Sequence, residues 1–133
     1  MIADDEPKIR QGLKSVLEEM KLPITVCAEA RNGMEALEKI EQFQPDFILM
    51  DICMPKLSGI QFLEELRKLD KNCPVIVISG FNEFSYAKQA IKLNVTEYIL
   101  KPVNVEELTA ILQKIKANLD QEIEQKRNVN LLR

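Results

Sequence analysis

Apolar and polar positions alternate along this chain between two rhythms. Short, β-branched apolar runs occur at Ile24 to Ala30, Asp46 to Asp51, Pro74 to Ile78 and Tyr98 to Leu100, with Ile2-Ala3 as a stub of the same kind. Between them apolar residues recur every three or four positions, the spacing of one helix face. Ile9, Leu13, Val16, Leu17 and Met20 mark a first helix, with Asp5 placed to cap it and Pro7 suited to its first turn. Ala36, Leu37, Ile40 and Phe43 mark a second helix, entered through Asn32-Gly33; that dipeptide often makes a hairpin, but no strand follows it here. Ile60, Leu63 and Leu66 begin a third helix, and Tyr86, Ala87, Ala90 and Ile91 line a fourth. A fifth starts near Val105 and keeps its apolar line through Leu108, Leu112, Ile115, Leu119 and Ile123, so that it would reach Lys126 at roughly 33 Å.

Five strands alternating with five helices predict βαβ units and a parallel sheet. The run Phe47-Ile48-Leu49-Met50 has no polar alternation, as expected of a strand covered on both faces. In such sheets ligands gather beyond the carboxyl ends of the strands. Asp4 and Asp5 follow the first strand, Asp51 ends the third, Ser79 follows the fourth and Lys101 the fifth. Each has a bland reading: a helix cap, a closed turn, a Ser-Gly bend, a surface charge, and for Tyr98 a place in the core. Those readings must hold at several strand ends at once, whereas together the residues form one coherent site.

Composition narrows the options. A chain of 133 residues, 46% hydrophobic and 29% charged, has room for one packed domain. Its formal charge of -3 gives no general basic field for holding nucleic-acid phosphates. Cys27, Cys53 and Cys73 show no CxxC spacing and read as buried free thiols of a reducing compartment. No apolar run approaches the ~18 residues of a membrane span, so a cytoplasmic protein with no membrane partner is expected.

The chemistry of the strand ends follows from charge. Carboxylates crowded at about 4 Å repel by roughly 4 kcal/mol per pair at an effective dielectric near 20. A hard divalent cation relieves that repulsion, and Mg²⁺ favours one or two carboxylates, several waters and a phosphate. Lys101 and the Ser79 hydroxyl suit two oxygens of a phosphoryl group, leaving Asp51 to attack phosphorus. The chain contains no histidine, which removes the usual general base.

The motifs IADDE, ILMDICMPKLSG, VIVISG and EYILKPV, in that order and spacing, closely resemble those of bacterial two-component response regulator receiver domains over residues 1–118. The resemblance implies a flavodoxin-like, doubly wound α/β fold: a five-stranded parallel sheet of order 2-1-3-4-5 with helices on both faces. It implies Asp51 as phosphoacceptor for a sensor histidine kinase. Mg²⁺ (or Mn²⁺) would be held by Asp5, Asp51 and the Cys53 carbonyl, with Asp4 contributing directly or through water. Ser79 and Lys101 would receive the phosphoryl oxygens, Tyr98 would swing inward on switching, and the bond before Pro102 would be cis. Cys53 and Phe81 stand where the family tunes hydrolysis of the aspartyl phosphate; neither orients water well, which predicts slow loss of phosphate. The face of helix four, strand five and helix five would form a homodimer.

Phe81 to Ala87 resembles the subgroup whose receivers precede an arabinose-regulator-type helix-turn-helix domain, so DNA contact would come only through an output domain not present here. Residues 119–133 are then expected to be a helical extension or linker toward it. Only Met1 to Ala3 precede the acidic pair, predicting a shortened first strand, lower stability, and a gain in melting temperature if four apolar residues were restored ahead of Met1. Two rivals remain: a degenerate receiver that only binds proteins, and an aspartyl-phosphate phosphatase, which would want a second acid near Asp51 where Cys53 stands.

Overall fold

The computed structural model describes residues 1–20, 22–52, 54, 59–69, 73–80 and 84–131, with the side chains of 84–87 and 126–131 left aside. The elements run β1 (Ile2–Ala3), α1 (Pro7–Glu19), β2 (Glu29–Ala30), α2 (Gly33–Phe43), β3 (Ile48–Asp51), α3 (Gly59–Leu69), β4 (Val75–Ser79), α4 (Phe84–Lys92), β5 (Glu97–Leu100) and α5 (Val105–Leu131). All ladders are parallel and the sheet order is β2-β1-β3-β4-β5, the flavodoxin-like arrangement expected of the sequence.

Every residue of β3 and β4 is buried, which is why their sequences read as unbroken apolar runs. Ile48, Met50, Val75 and Val77 join one core cluster with Ala36 of α2, Ile60, Phe62, Leu63 and Leu66 of α3 and Ala90 of α4. The alternate residues Leu49, Ile76 and Ile78 are as deeply buried outside that cluster, as are Leu13 and Leu17 of α1. Burial of each such side chain stabilises the fold by roughly 1.5–3 kcal/mol.

Several expectations need correction. The second strand is two residues long, not the seven from Ile24 to Ala30. Residues 24–28 still alternate between half-buried and exposed positions as a strand would, but β1 ends at Ala3, and of this segment it pairs with Glu29 and Ala30 alone. Cys27, expected to be buried, is exposed, while Cys73 is buried; Cys53 lies outside the described residues. Phe43 and Ile91, taken as core faces, are largely exposed, and so is Ile123. The cap of α1 is Glu6, not Asp5: it offers no side-chain cap bond, and the Asp4 carboxylate accepts the Glu6 N–H at 2.9 Å instead.

Local chemistry fixes the remaining connections. The Asn32 side chain accepts the Glu35 N–H at 2.8 Å and so caps α2. Asn94 adopts φ 58 after α4, a left-handed position that asparagine tolerates. Arg67 of α3 donates to the carbonyls of Leu93 (2.8 Å), Asn94 (3.1 Å) and Cys73 (2.9 Å). Gly59 donates its N–H to the Ile52 carbonyl at 3.0 Å, and a Cβ there would lie 2.6 Å from that same oxygen.

The chain divides into two compact units, Met1–Val103 and Asn104–Arg133. The second is the 27-residue helix α5 with its cap, where the Asn104 side chain accepts the Glu107 N–H at 3.0 Å and acidic Glu106 and Glu107 occupy the first turn. Leu108, Leu112 and Ile115 are buried along it.

Candidate functional site

The carboxyl ends of β1, β3, β4 and β5 converge, because parallel strands in register end together. Ser79 stands opposite Leu100, and Asp51 opposite Ile78. The main chain continues that register past the strands: Ile52 N–H bonds to Ile78 O at 3.1 Å, and Lys101 N–H to Ser79 O at 2.7 Å. The Lys101–Pro102 peptide bond is cis.

Three carboxylates meet at this edge. Asp4, Asp5 and Asp51 each offer an oxygen within 4.8 Å of the others; Asp4 and Asp51 are buried and Asp5 is exposed. The Lys101 ammonium lies 3.3 Å from Oδ2 of Asp51. Burial pushes the Asp4 carboxyl up to about 6 from an ordinary 3.8; the Glu6 N–H bond opposes that rise, the charge of Asp51 adds to it, Lys101 opposes it and Asp5 adds to it. A buried acid near such neighbours gives up its proton more readily once a cation is at hand. The donor set is all oxygen and predominantly anionic, which fits a hard divalent ion such as Mg²⁺ and offers nothing to a soft one.

Ser79 is fully buried, and its hydroxyl donates to the Tyr98 hydroxyl. The strand register explains the contact: Tyr98 faces Val77, so Ser79, two residues on, is its diagonal neighbour on the same side of the sheet. Tyr98 is half-buried and packs against the core cluster. Asp4, Asp5, Asp51, Ser79, Tyr98 and Lys101 are thus gathered at one end of the sheet, while Cys53 and Phe81 lie outside the described residues.

Two residues escaped the sequence reading. Arg10 of α1 donates Nη1 to the Asp4 carbonyl at 2.6 Å, and its Nε lies 3.4 Å from Oε1 of Glu29. An arginine one turn into a helix that follows an acidic pair was the available signal.

Comparison with known proteins decides the family: the response regulator receiver domain matches residues 1–113. The chain belongs to the response regulator receiver family. Among solved structures, the receiver resembles the REC domain of AraT, a response regulator from Geobacillus stearothermophilus, with a TM-score of 0.81 and 40% identity over 91% of this chain and 94% of that one. A CheY-like receiver domain protein from Methanospirillum hungatei JF-1 gives a TM-score of 0.75 and 30% identity, covering 93% of this chain and 94% of that one. Among curated relatives, the transcriptional regulatory protein YesN of Bacillus subtilis (strain 168) is 36% identical over 132 residues, 98% of this receiver and 36% of YesN. The transcriptional regulatory protein HptR of Staphylococcus aureus (strain NCTC 8325 / PS 47) is 37% identical over 115 residues, 86% of the receiver and 45% of HptR. The receiver therefore spans less than half the length of these two relatives. None of its described helices is long and apolar enough to cross a membrane.

Proposed function

We propose that this receiver is a phosphorylation-controlled switch that accepts a phosphoryl group on Asp51 from a sensor histidine kinase, with Mg²⁺ (or Mn²⁺) in the acidic corner. The observation that carries the reading is the surroundings of Asp51: a buried carboxylate at a strand end, grouped with Asp4 and Asp5 and paired with Lys101 at 3.3 Å. An Asp51 oxygen would form the new O–P bond as the P–N bond of the donor's phosphohistidine breaks, the electron pair leaving with the imidazole. Asp5, Asp51 and the Cys53 carbonyl would hold the cation, with Asp4 directly or through water; when bound, it neutralises charge on the phosphoryl oxygens. Lys101 is near enough to Asp51 to take one of those oxygens as a fixed positive charge.

Ser79 would turn its hydroxyl from Tyr98 to another phosphoryl oxygen, and the freed Tyr98 would alter its packing. That change would reach a homodimer surface formed by α4, β5 and α5. Residues 1–118 would act as the receiver and 119–133 as the connector to a DNA-binding output domain of the arabinose-regulator type, in a cytoplasmic transcription factor. The names of YesN and HptR support the transcriptional part of this reading. With Cys53 and Phe81 at the tuning positions, the aspartyl phosphate would be long-lived.

The test is intact mass spectrometry after incubation with Mg²⁺ and acetyl phosphate. A gain of one phosphoryl group, absent in Asp51→Asn and persisting for minutes or longer, supports the switch. No adduct would leave a protein-binding module, and rapid turnover with release of phosphate would point to a phosphatase.

A further inference from the structure

β1 has two residues, so the backbone at Asp4, where the acidic pair begins, lies beyond the last rung of its ladder. Something else must hold it. The Asp4 N–H reaches back to the Ala30 carbonyl at 3.0 Å, and the Asp4 carboxylate is tied to the Glu6 N–H at 2.9 Å. The Asp4 carbonyl is taken by the Arg10 guanidinium at 2.6 Å, a short, charge-assisted bond. Arg10 is itself held from the other side: its Nε lies 3.4 Å from Oε1 of Glu29, and Oε2 of Glu29 accepts from Lys14 at 3.1 Å. Glu29 is anchored in turn, because it pairs with Ile2 in the sheet and its carbonyl accepts from Lys39. The Arg10 side chain is only 14% exposed, so its bond to the Asp4 carbonyl is sheltered, while its contact with Glu29, 36% exposed, is more open to solvent screening.

We propose that Arg10, braced by Glu29, is a positioning residue for the cation: it fixes the Asp4-Asp5 backbone so that both carboxylates face Asp51, a task that longer ladders would otherwise perform. The inference rests on the proposed function, since it presumes that the acidic corner binds a divalent ion. Two effects of the guanidinium oppose each other. As a positive charge close to Asp4 it repels an incoming cation, whereas as a brace it keeps the ligands in place. A planar fork that grips a carbonyl and a carboxylate at once is suited to bracing. Partners that orient metal ligands typically change affinity by about 10- to 100-fold when removed.

Calorimetric titration of the unphosphorylated protein with Mg²⁺ separates the possibilities, with thermal unfolding recorded alongside to confirm that each variant is folded. Arg10→Ala is expected to weaken Mg²⁺ binding about tenfold, and Arg10→Lys, which can reach the carbonyl but not both partners, to fall between. Glu29→Gln leaves the acidic pair and Arg10 intact yet should weaken binding in the same direction. In phosphorylation by acetyl phosphate, the half-saturating Mg²⁺ should rise while the rate at saturating Mg²⁺ stays near that of the wild type. If folded Arg10→Ala binds Mg²⁺ as tightly as the wild type or more tightly, charge repulsion outweighs bracing and the inference is overturned. If the wild type itself binds no Mg²⁺, the proposed function fails and takes this inference with it.

Discussion

The two sides of the sheet are built to different standards. β3 and β4 share four paired positions, as do β4 and β5; β1 shares two with β2 and two with β3. The side with long ladders carries Asp51, Ser79, Tyr98 and Lys101, while the side with short ladders carries Asp4 and Asp5. Groups proposed to meet the phosphoryl oxygens thus stand on the well-paired half, whereas the proposed cation ligands are divided: Asp51 stands on that half, and Asp4 and Asp5 stand where fewer rungs are supplemented by side-chain bonds. Position is supplied by main-chain repetition in one half and by Arg10, Glu29 and Lys14 in the other.

Amide exchange probes this contrast most directly. The N–H groups of Ile48 and Ile52 should be released only by global unfolding. Those of Ile2 and Asp4, bonded to the Ala28 and Ala30 carbonyls, should exchange through a smaller opening several kcal/mol lower in free energy. Equal protection in the two sets would break the comparison. Ile76→Ala, at a fully buried position of β4, should lower global stability by about 3 kcal/mol in a urea titration. That variant should reduce protection at Ile48 and Ile52 while leaving Asp4 nearly unchanged.

The charge on Asp4 gives a pH-dependent check of intermediate size. Its folded value of about 6 exceeds the ordinary 3.8, so the folded protein holds this proton more tightly than the unfolded chain. The resulting stabilisation is complete below about 3.8 and is lost as pH rises through about 6. In metal-free buffer at pH 7, Asp4→Asn should therefore be more stable than the wild type by about 1–2 kcal/mol, with no such gain at pH 4. Added Mg²⁺ should shrink or reverse the gain, because it favours the ionised acid. Smallest is Gly12→Ala: the site lies inside α1, and beyond the local backbone of that helix no atom comes within 4 Å of the added methyl, so the change should raise stability by about 0.5–1 kcal/mol. Since α1 adjoins the short-ladder side, melting curves of this variant test whether helix propensity can offset sparse strand pairing.

The same contrast governs what could be read from the sequence. β3 and β4 were legible because burial on both faces writes itself as an uninterrupted apolar run, and the motif around Asp51 inherits that clarity. β2 was overread because Ile24 to Ala30 has the composition of a strand, but pairing needs a partner, and β1 is only two residues long. Composition reports what one segment prefers; a ladder depends on two. Asp4, Asp51, Ser79 and Lys101 could be placed together by topology alone. The diagonal contact of Ser79 with Tyr98 needed the register between β4 and β5, and the Arg10 brace needed the path of α1 over β2. The cap of α1 differs for a related reason: Asp5 has the residue type and the place before Pro7 that a cap needs, and only the backbone turn assigns the Glu6 amide to Asp4 instead.

Gly59 closes off one route of variation. Every side chain larger than hydrogen would have to enter the space of the Ile52 carbonyl, to which the Gly59 amide is already bonded. A saturation library at that codon should come back with a single survivor, whereas Gly12 should accept many replacements. The close approach of the first turn of α3 to the residue after β3 accordingly depends on one absent side chain, and engineering that retunes the loop joining them must keep that glycine.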